Sequence, residues 1–172
     1  MRKLNDIIFR SIAAIAVALV SISNLPAQEK RTGLGIIIGE PTGISFKTWL
    51  NNDRAIAAAL AWRLWRGNAF HIHGDYLFHD HDLIGVSRGS LPIYYGVGLR
   101  LRSWSGGRYW HRGRYHEYDH GHFDLGVRFP VGLSYIFGGA PLDIFLEIVP
   151  TLDLVPATTF DLGGGLGIRY WF

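Results

Sequence analysis

From residue 32 onward, apolar and polar residues alternate with a period of two. Among residues 160–172 the even positions hold Phe160, Leu162, Gly164, Leu166, Ile168, Tyr170 and Phe172. The odd positions hold Asp161, Gly163, Gly165, Gly167, Arg169 and Trp171. A strand sends successive side chains to opposite faces, so this segment predicts a strand with one apolar face and one small or charged face. The same test succeeds at residues 32–40, 44–50, 56–64, 70–78, 91–101, 123–137 and 142–154. In the last of these, Leu142, Ile144, Leu146, Ile148, Leu152 and Leu154 share one face; Asp143, Glu147, Thr151 and Asp153 share the other with Phe145 and Val149. Turn-forming runs separate the segments, among them "GEPTG" at 39–43, "NND" at 51–53, "FGGAP" at 137–141 and "VPATT" at 155–159. Two connections are longer, at 79–90 and 103–122. No long stretch repeats apolar residues at helical spacing. The pattern predicts an all-β domain of eight antiparallel strands.

Residues 1–27 follow a different rule. A basic start, "MRKLNDIIFR", leads into the apolar "SIAAIAVALVSI" of residues 11–22, followed by "LPAQ" with the small Ala27. That order predicts a secretory signal peptide, because the apolar run is too short to cross a bilayer as a helix. The domain expectation is therefore a signal peptide at 1–27 and one exported domain at 28–172. Of the formal net charge of +3, this segment contributes Arg2, Lys3 and Arg10 against Asp6, which leaves a single positive charge for the rest. No basic excess remains to attract nucleic acid. The chain has no cysteine, so it forms no disulfide framework.

Alternation alone does not say which solvent the apolar face meets. A soluble barrel that carries an apolar ligand turns that face inward; a membrane barrel turns it outward. The polar face carries Lys47, Arg63, Arg100, Arg102, Arg128 and Arg169, and equally many anions at Asp75, Asp124, Asp143, Glu147, Asp153 and Asp161. It also carries many glycines, which weaken an exposed strand without benefit. Inside an eight-stranded barrel the lumen holds only side chains. Glycine then makes room, and the balanced signs suit buried charges that must pair. Aromatics fall at both ends of the outward face: Tyr76, Phe78, Tyr135, Phe137, Tyr170 and Phe172 at one end, and Trp62, Phe70, Phe123 and Phe160 at the other. Two such girdles around an apolar band are expected of an outer-membrane barrel.

In strand number, polarity and girdles the chain resembles the small eight-stranded outer-membrane β-barrel proteins of Gram-negative bacteria, the group of the OmpA transmembrane domain and OmpX. Its end, Gly167-x-x-Tyr170-x-Phe172, is similar to the C-terminal signal that the barrel assembly machinery recognises in such proteins. Gly165 stands where a polar residue is usual. The resemblance implies an all-β, eight-stranded antiparallel up-and-down transmembrane β-barrel in the cell outer membrane. Its implied surroundings are outer-membrane lipid and lipopolysaccharide, and its implied state is a monomer.

Chemistry-bearing residues are few. The segment "WHRGRYHEYDHGH" at 110–122 gathers His111, His116, His120 and His122 beside Glu117 and Asp119, a residue mix that suits zinc or another divalent metal. A solvated polar loop explains the same residues. Arg108, Arg112 and Arg114, interleaved with Tyr109, Trp110 and Tyr115, suit lipopolysaccharide phosphates or a partner surface. No nucleophile motif surrounds Ser45 or Ser134, and the glycines of "GLGIIIGEPTG" precede no helix. The expectation is a non-catalytic barrel with a plugged, charged lumen and a structural, adhesive or surface-binding role through the 103–122 loop, without a cofactor unless a metal occupies that loop.

Overall fold

A computed structural model describes residues 31–63, 69–104, 107–111, 114–118 and 122–172. Residues 1–27, expected as a signal peptide, lie outside the described residues. The strands are β1 (Thr32–Glu40), β2 (Gly43–Trp49), β3 (Arg54–Arg63), β4 (Ala69–Asp80), β5 (Ile93–Trp104), β6 (Gly107–His111), β7 (Arg114–Tyr118), β8 (His122–Arg128), β9 (Val131–Ile136), β10 (Leu142–Val155) and β11 (Thr159–Trp171). Each wall strand pairs antiparallel with its neighbours, and β11 pairs with β1, so the sheet closes on itself. β8 and β9 form one line of the wall, since both pair with β5 on one side and β10 on the other. The result is a closed eight-stranded antiparallel barrel. β6 and β7 pair only with each other, as a separate hairpin between β5 and β8.

The break between β8 and β9 has a chemical cause. Phe129 donates its N–H to Pro150 O at 2.9 Å, and Gly96 donates to Pro130 O at 2.9 Å. Neither proline has an N–H to return the bond. The wall continues through this point with one bond of each pair missing.

Closure divides the side chains as the alternation requires. Ile38, Leu99, Ile148, Phe160 and Leu162 point outward and are 63%, 59%, 59%, 71% and 60% exposed, in that order. Lys47, Asp75, Arg100, Arg128, Asp143, Glu147, Asp153 and Arg169 point inward and are buried. The molecule is thus apolar outside and largely polar inside. The interior is not wholly polar: Ile37, Ala57, Ala59, Leu77, Tyr94 and Phe145 form a buried apolar cluster among the charges. Glycine makes the room, in part for groups other than arginine. A Cβ on Gly98 would strike the Asp75 carboxylate, and one on Gly167 would strike the Phe145 ring.

The rim where β1 begins and β11 ends, with Gly33 opposite Trp171, is called the near rim below. The β2–β3 and β4–β5 connections lie at this rim. The β5 and β8 ends that flank the hairpin lie at the opposite, far rim.

Candidate functional site

The charged residues of the lumen meet across the barrel. Asp75 on β4, Arg128 on β8 and Glu147 on β10 form a continuous triad. Arg128 Nε lies 2.9 Å from Asp75 Oδ1, and Arg128 Nη2 donates to Glu147 Oε1 at 3.2 Å. The first contact is an ion pair that is not aligned as a hydrogen bond, since both atoms lack a hydrogen-bond partner. Tyr94 on β5 completes the carboxylate by donating its hydroxyl to Glu147 Oε2 at 3.0 Å. On the other side of the triad, His73 Nε2 lies 3.6 Å from Asp75 Oδ2, and His71 Nε2 lies 3.1 Å from His73 Nδ1.

A second group sits toward the far rim. Arg100 grips Asp153 with Nε at 3.0 Å and Nη2 at 2.6 Å, and reaches Asp161 with Nη1 at 2.8 Å. Arg102 Nε donates to Asp124 at 3.1 Å, and its terminal nitrogens lie 3.7 Å from Asp153 and 3.6 Å from Asp161. Toward the near rim, Arg169 holds Asp143 through Nε at 3.1 Å and Nη2 at 2.7 Å, and Ser134 donates its hydroxyl to the same carboxylate at 2.8 Å. The Arg169 guanidinium lies 3.9 Å over the Phe145 ring. Two-point Arg–carboxylate geometry is the strongest pairing available to these groups.

Lys47 is the exception. It is fully buried, yet among the described residues it meets no carboxylate within ion-pair distance. Its Nζ lies 2.7 Å from His79 Nε2 and faces the rings of Trp49 at 4.4 Å, Tyr94 at 5.5 Å and Trp171 at 5.9 Å. Trp49 and Trp171 stack at 6.1 Å, and Trp49 lies 4.4 Å from the His79 ring. Aromatic faces thus stand where an anion would otherwise be needed. Parity puts Trp49 and Trp171 on the polar face. What it does not reveal is that they converge on Lys47.

Of the sequence-derived lumen residues, Lys47, Asp75, Arg100, Arg102, Asp124, Arg128, Asp143, Glu147, Asp153, Asp161 and Arg169 all lie on the inward face. Arg63 ends β3, and its side chain lies outside the described residues. Tyr94 and Ser134 join the carboxylates without any sequence motif to announce them. Gly167 and Tyr170 lie on β11, with Tyr170 outward and half exposed; Phe172 follows the strand. Ser134 is committed to Asp143 rather than to a histidine, which is no arrangement for nucleophilic attack.

The 103–122 segment, expected as a loop, contains the β6–β7 hairpin. Its register opposes Arg108 to Glu117, Tyr109 to His116, Trp110 to Tyr115 and His111 to Arg114. By that register, positions 111 and 116 share one face of the hairpin ladder. His122 stands on β8 opposite Trp104 of β5, and His120 lies outside the described residues. The four histidines therefore do not share one element.

No protein-family model matches the chain, and no curated protein matches it. Among solved structures, the N-terminal β-barrel domain of Pseudomonas aeruginosa OprF is similar at a TM-score of 0.57 and 14% identity, over 83% of this chain and 96% of that one. Ail, the attachment invasion locus protein of Yersinia pestis, aligns at a TM-score of 0.41 and 12% identity, over 83% of this chain and 94% of that one. The first likeness shows the fold: this chain has the architecture of a small outer-membrane barrel.

Proposed function

We propose that this chain is a non-catalytic outer-membrane protein whose lumen is plugged by paired charges and whose far-rim hairpin binds at the cell surface. The observation that carries the reading is the reversal of polarity across the wall. Outward side chains such as Leu99 and Ile148 are more than half exposed, while Glu147, beside Ile148, is buried in an ion-paired lumen. A soluble protein does not sustain a continuous apolar belt in water. A bilayer accepts such a belt, and a closed barrel meets its demand that the wall backbone be paired internally. The soluble alternative requires an apolar ligand face inside, and the buried charges weigh against it.

Short turns face the periplasm and longer loops face outward in barrels of this kind. The longest connection between wall strands, residues 105–121 with the β6–β7 hairpin, leaves the far rim, so in this reading the far rim faces the cell surface and the near rim lies in the periplasmic leaflet. There Arg108, Arg112 and Arg114, with Tyr109, Trp110 and Tyr115, suit the phosphates and sugars of lipopolysaccharide or the surface of an adhesion partner. Replacing residues 105–120 by a short turn is expected to leave the barrel folded and to abolish its retention on immobilised lipopolysaccharide. Undiminished retention would remove the hairpin from this role.

A lumen crossed by Asp75, Arg128 and Glu147 leaves little room for ions. The purified protein in planar bilayers is expected to give no steady large conductance. Stable porin-sized channels would overturn the plugged-lumen reading.

The terminal pattern Gly167-x-x-Tyr170-x-Phe172 supplies the assembly signal in this reading. Phe172→Ala removes part of one apolar side chain, whose full burial is worth about 1.5–3 kcal/mol. Refolding into detergent should therefore be nearly normal. Outer-membrane yield in cells should fall sharply, because recognition rests on one short segment. A normal cellular yield would remove that role from Phe172.

A further inference from the structure

The connection from β4 to β5, residues 81–92, is longer than its neighbours at the same rim. β2 and β3 are joined by residues 50–53, and β9 and β10 by 137–141. Hairpin joins of two to five residues are the common solution. The extra length here is not slack. His81 places Nδ1 3.1 Å from Ser90 Oγ and Nε2 3.1 Å from the Asn52 carbonyl oxygen. Ser90 and Ile136 exchange two backbone hydrogen bonds, at 2.9 and 2.8 Å. The Tyr135 hydroxyl donates to the Arg88 carbonyl oxygen at 3.0 Å. Gly89 has φ of 72°, and a Cβ there would strike the Ile136 carbonyl oxygen, so the fit of the turn against β9 needs glycine.

Those anchors are all polar. Pro92 at the end of the turn is buried and Ile84 and Leu91 are half-buried, while Leu83 is 63% exposed and Val86 is 38% exposed. The hydrogen bonds hold the turn that carries these two exposed apolar side chains. The position of the turn says what they meet. Tyr135 belongs to the outward near-rim aromatics, so its bond to Arg88 draws the turn toward the outward side of that rim. The roots of the turn also lie in that girdle: Phe78, just before it, stacks on Tyr95, just after it, at 5.7 Å. His81 at the start of the turn faces the inward Trp49 ring at 5.9 Å, while the Tyr135 bond and the Phe78–Tyr95 pair tie the turn to the aromatic edge of the apolar belt. A stable protein partner needs roughly 1,000 Å² of contact, far more than two side chains provide. A lipid surface needs no such minimum, because the belt already holds the molecule there.

The geometry points to residues 81–92 as a lipid-surface anchor, with Leu83 and Val86 entering the headgroup–acyl boundary of the periplasmic leaflet and Arg88 available to its phosphates. This rests on the outer-membrane reading above and adds a non-spanning contact to it. The chain has no cysteine, so single labels can be placed cleanly. Variants Leu83→Cys, Val86→Cys, Asp53→Cys and Ile148→Cys would each carry a nitroxide in liposomes of phosphatidylethanolamine and phosphatidylglycerol. Collision rates would be read with oxygen, which favours lipid, and with a water-soluble nickel chelate. At 83 and 86 the oxygen rate is expected to exceed the nickel rate, by less than at 148; at 53 the order is expected to reverse. If 83 and 86 behave like 53 while 148 still reports lipid, the anchor is wrong and the membrane reading stands. If 148 also reports water, the membrane reading itself fails. Spin–spin broadening at 83 would identify a second copy as the occupant and would equally overturn the lipid assignment.

Discussion

Arg128→Met is expected to destabilise the folded barrel by about 3–5 kcal/mol, the usual consequence of removing one partner from a buried pair. Arg128 is 2% exposed and stands between two carboxylates, Asp75 at 2.9 Å and Glu147 at 3.2 Å. Methionine keeps much of the volume and removes the charge. Two buried anions then face each other with Tyr94 as the remaining donor to Glu147. The loss is not one of packing, and a second variant shows this. Asp75→Asn and Glu147→Gln combined with Arg128→Met removes all three charges, and replacing a whole buried ionic group is often neutral. The triple variant should therefore recover most of the lost stability. Urea unfolding of the refolded barrel in detergent measures both. A small effect from Arg128→Met alone would mean that water reaches the triad and screens it.

Ile148→Arg should be the most damaging change on the outer surface. Ile148 is 59% exposed and sits mid-strand in β10, between Val131 and Gly164. On a water-exposed surface such a substitution usually stays within about 0.5 kcal/mol. At the middle of a bilayer an outward arginine costs about 2–4 kcal/mol. The expected result is a loss in that second range when unfolding is measured from liposomes. It should shrink toward the rims, so that Leu154→Arg costs less. An effect near zero at both positions would mean that water, not lipid, meets the belt.

The wall was legible in the sequence because parity is a local property. Residues 142–154 alternate without exception in their charged and outward aliphatic positions, and the strand observed there runs Leu142–Val155. At two boundaries that moved, proline is the cause. Residues 123–137 read as one strand, and the observed line breaks at Phe129 and Pro130, where the return hydrogen bond has no donor. The expected strand at 91–101 begins instead at Ile93, after Pro92, and runs on to Trp104.

Partner choice was not legible. Alternation assigns Arg100 and Asp153 to the same face but says nothing of how far one strand is staggered against another. That stagger, set on closure, decides that Arg100 meets Asp153 on β10 and Asp161 on β11. The same limit hid the convergence of Trp49, Trp171, Tyr94 and His79 on Lys47, since four different strands contribute. The β6–β7 hairpin was missed for another reason. Aromatic residues and histidines fall at both parities among its arginines and Glu117, so no apolar face announces the period of two.

Electrophoretic mobility of the protein from fractionated cells, loaded unboiled and boiled in dodecyl sulfate, distinguishes a membrane barrel from a soluble one. Membrane barrels hold their paired wall in cold detergent until heated. The protein should sediment with the outer membrane, and its unboiled band should migrate apart from the boiled one. Recovery in the soluble periplasmic fraction, with one mobility regardless of heating, would contradict the membrane reading.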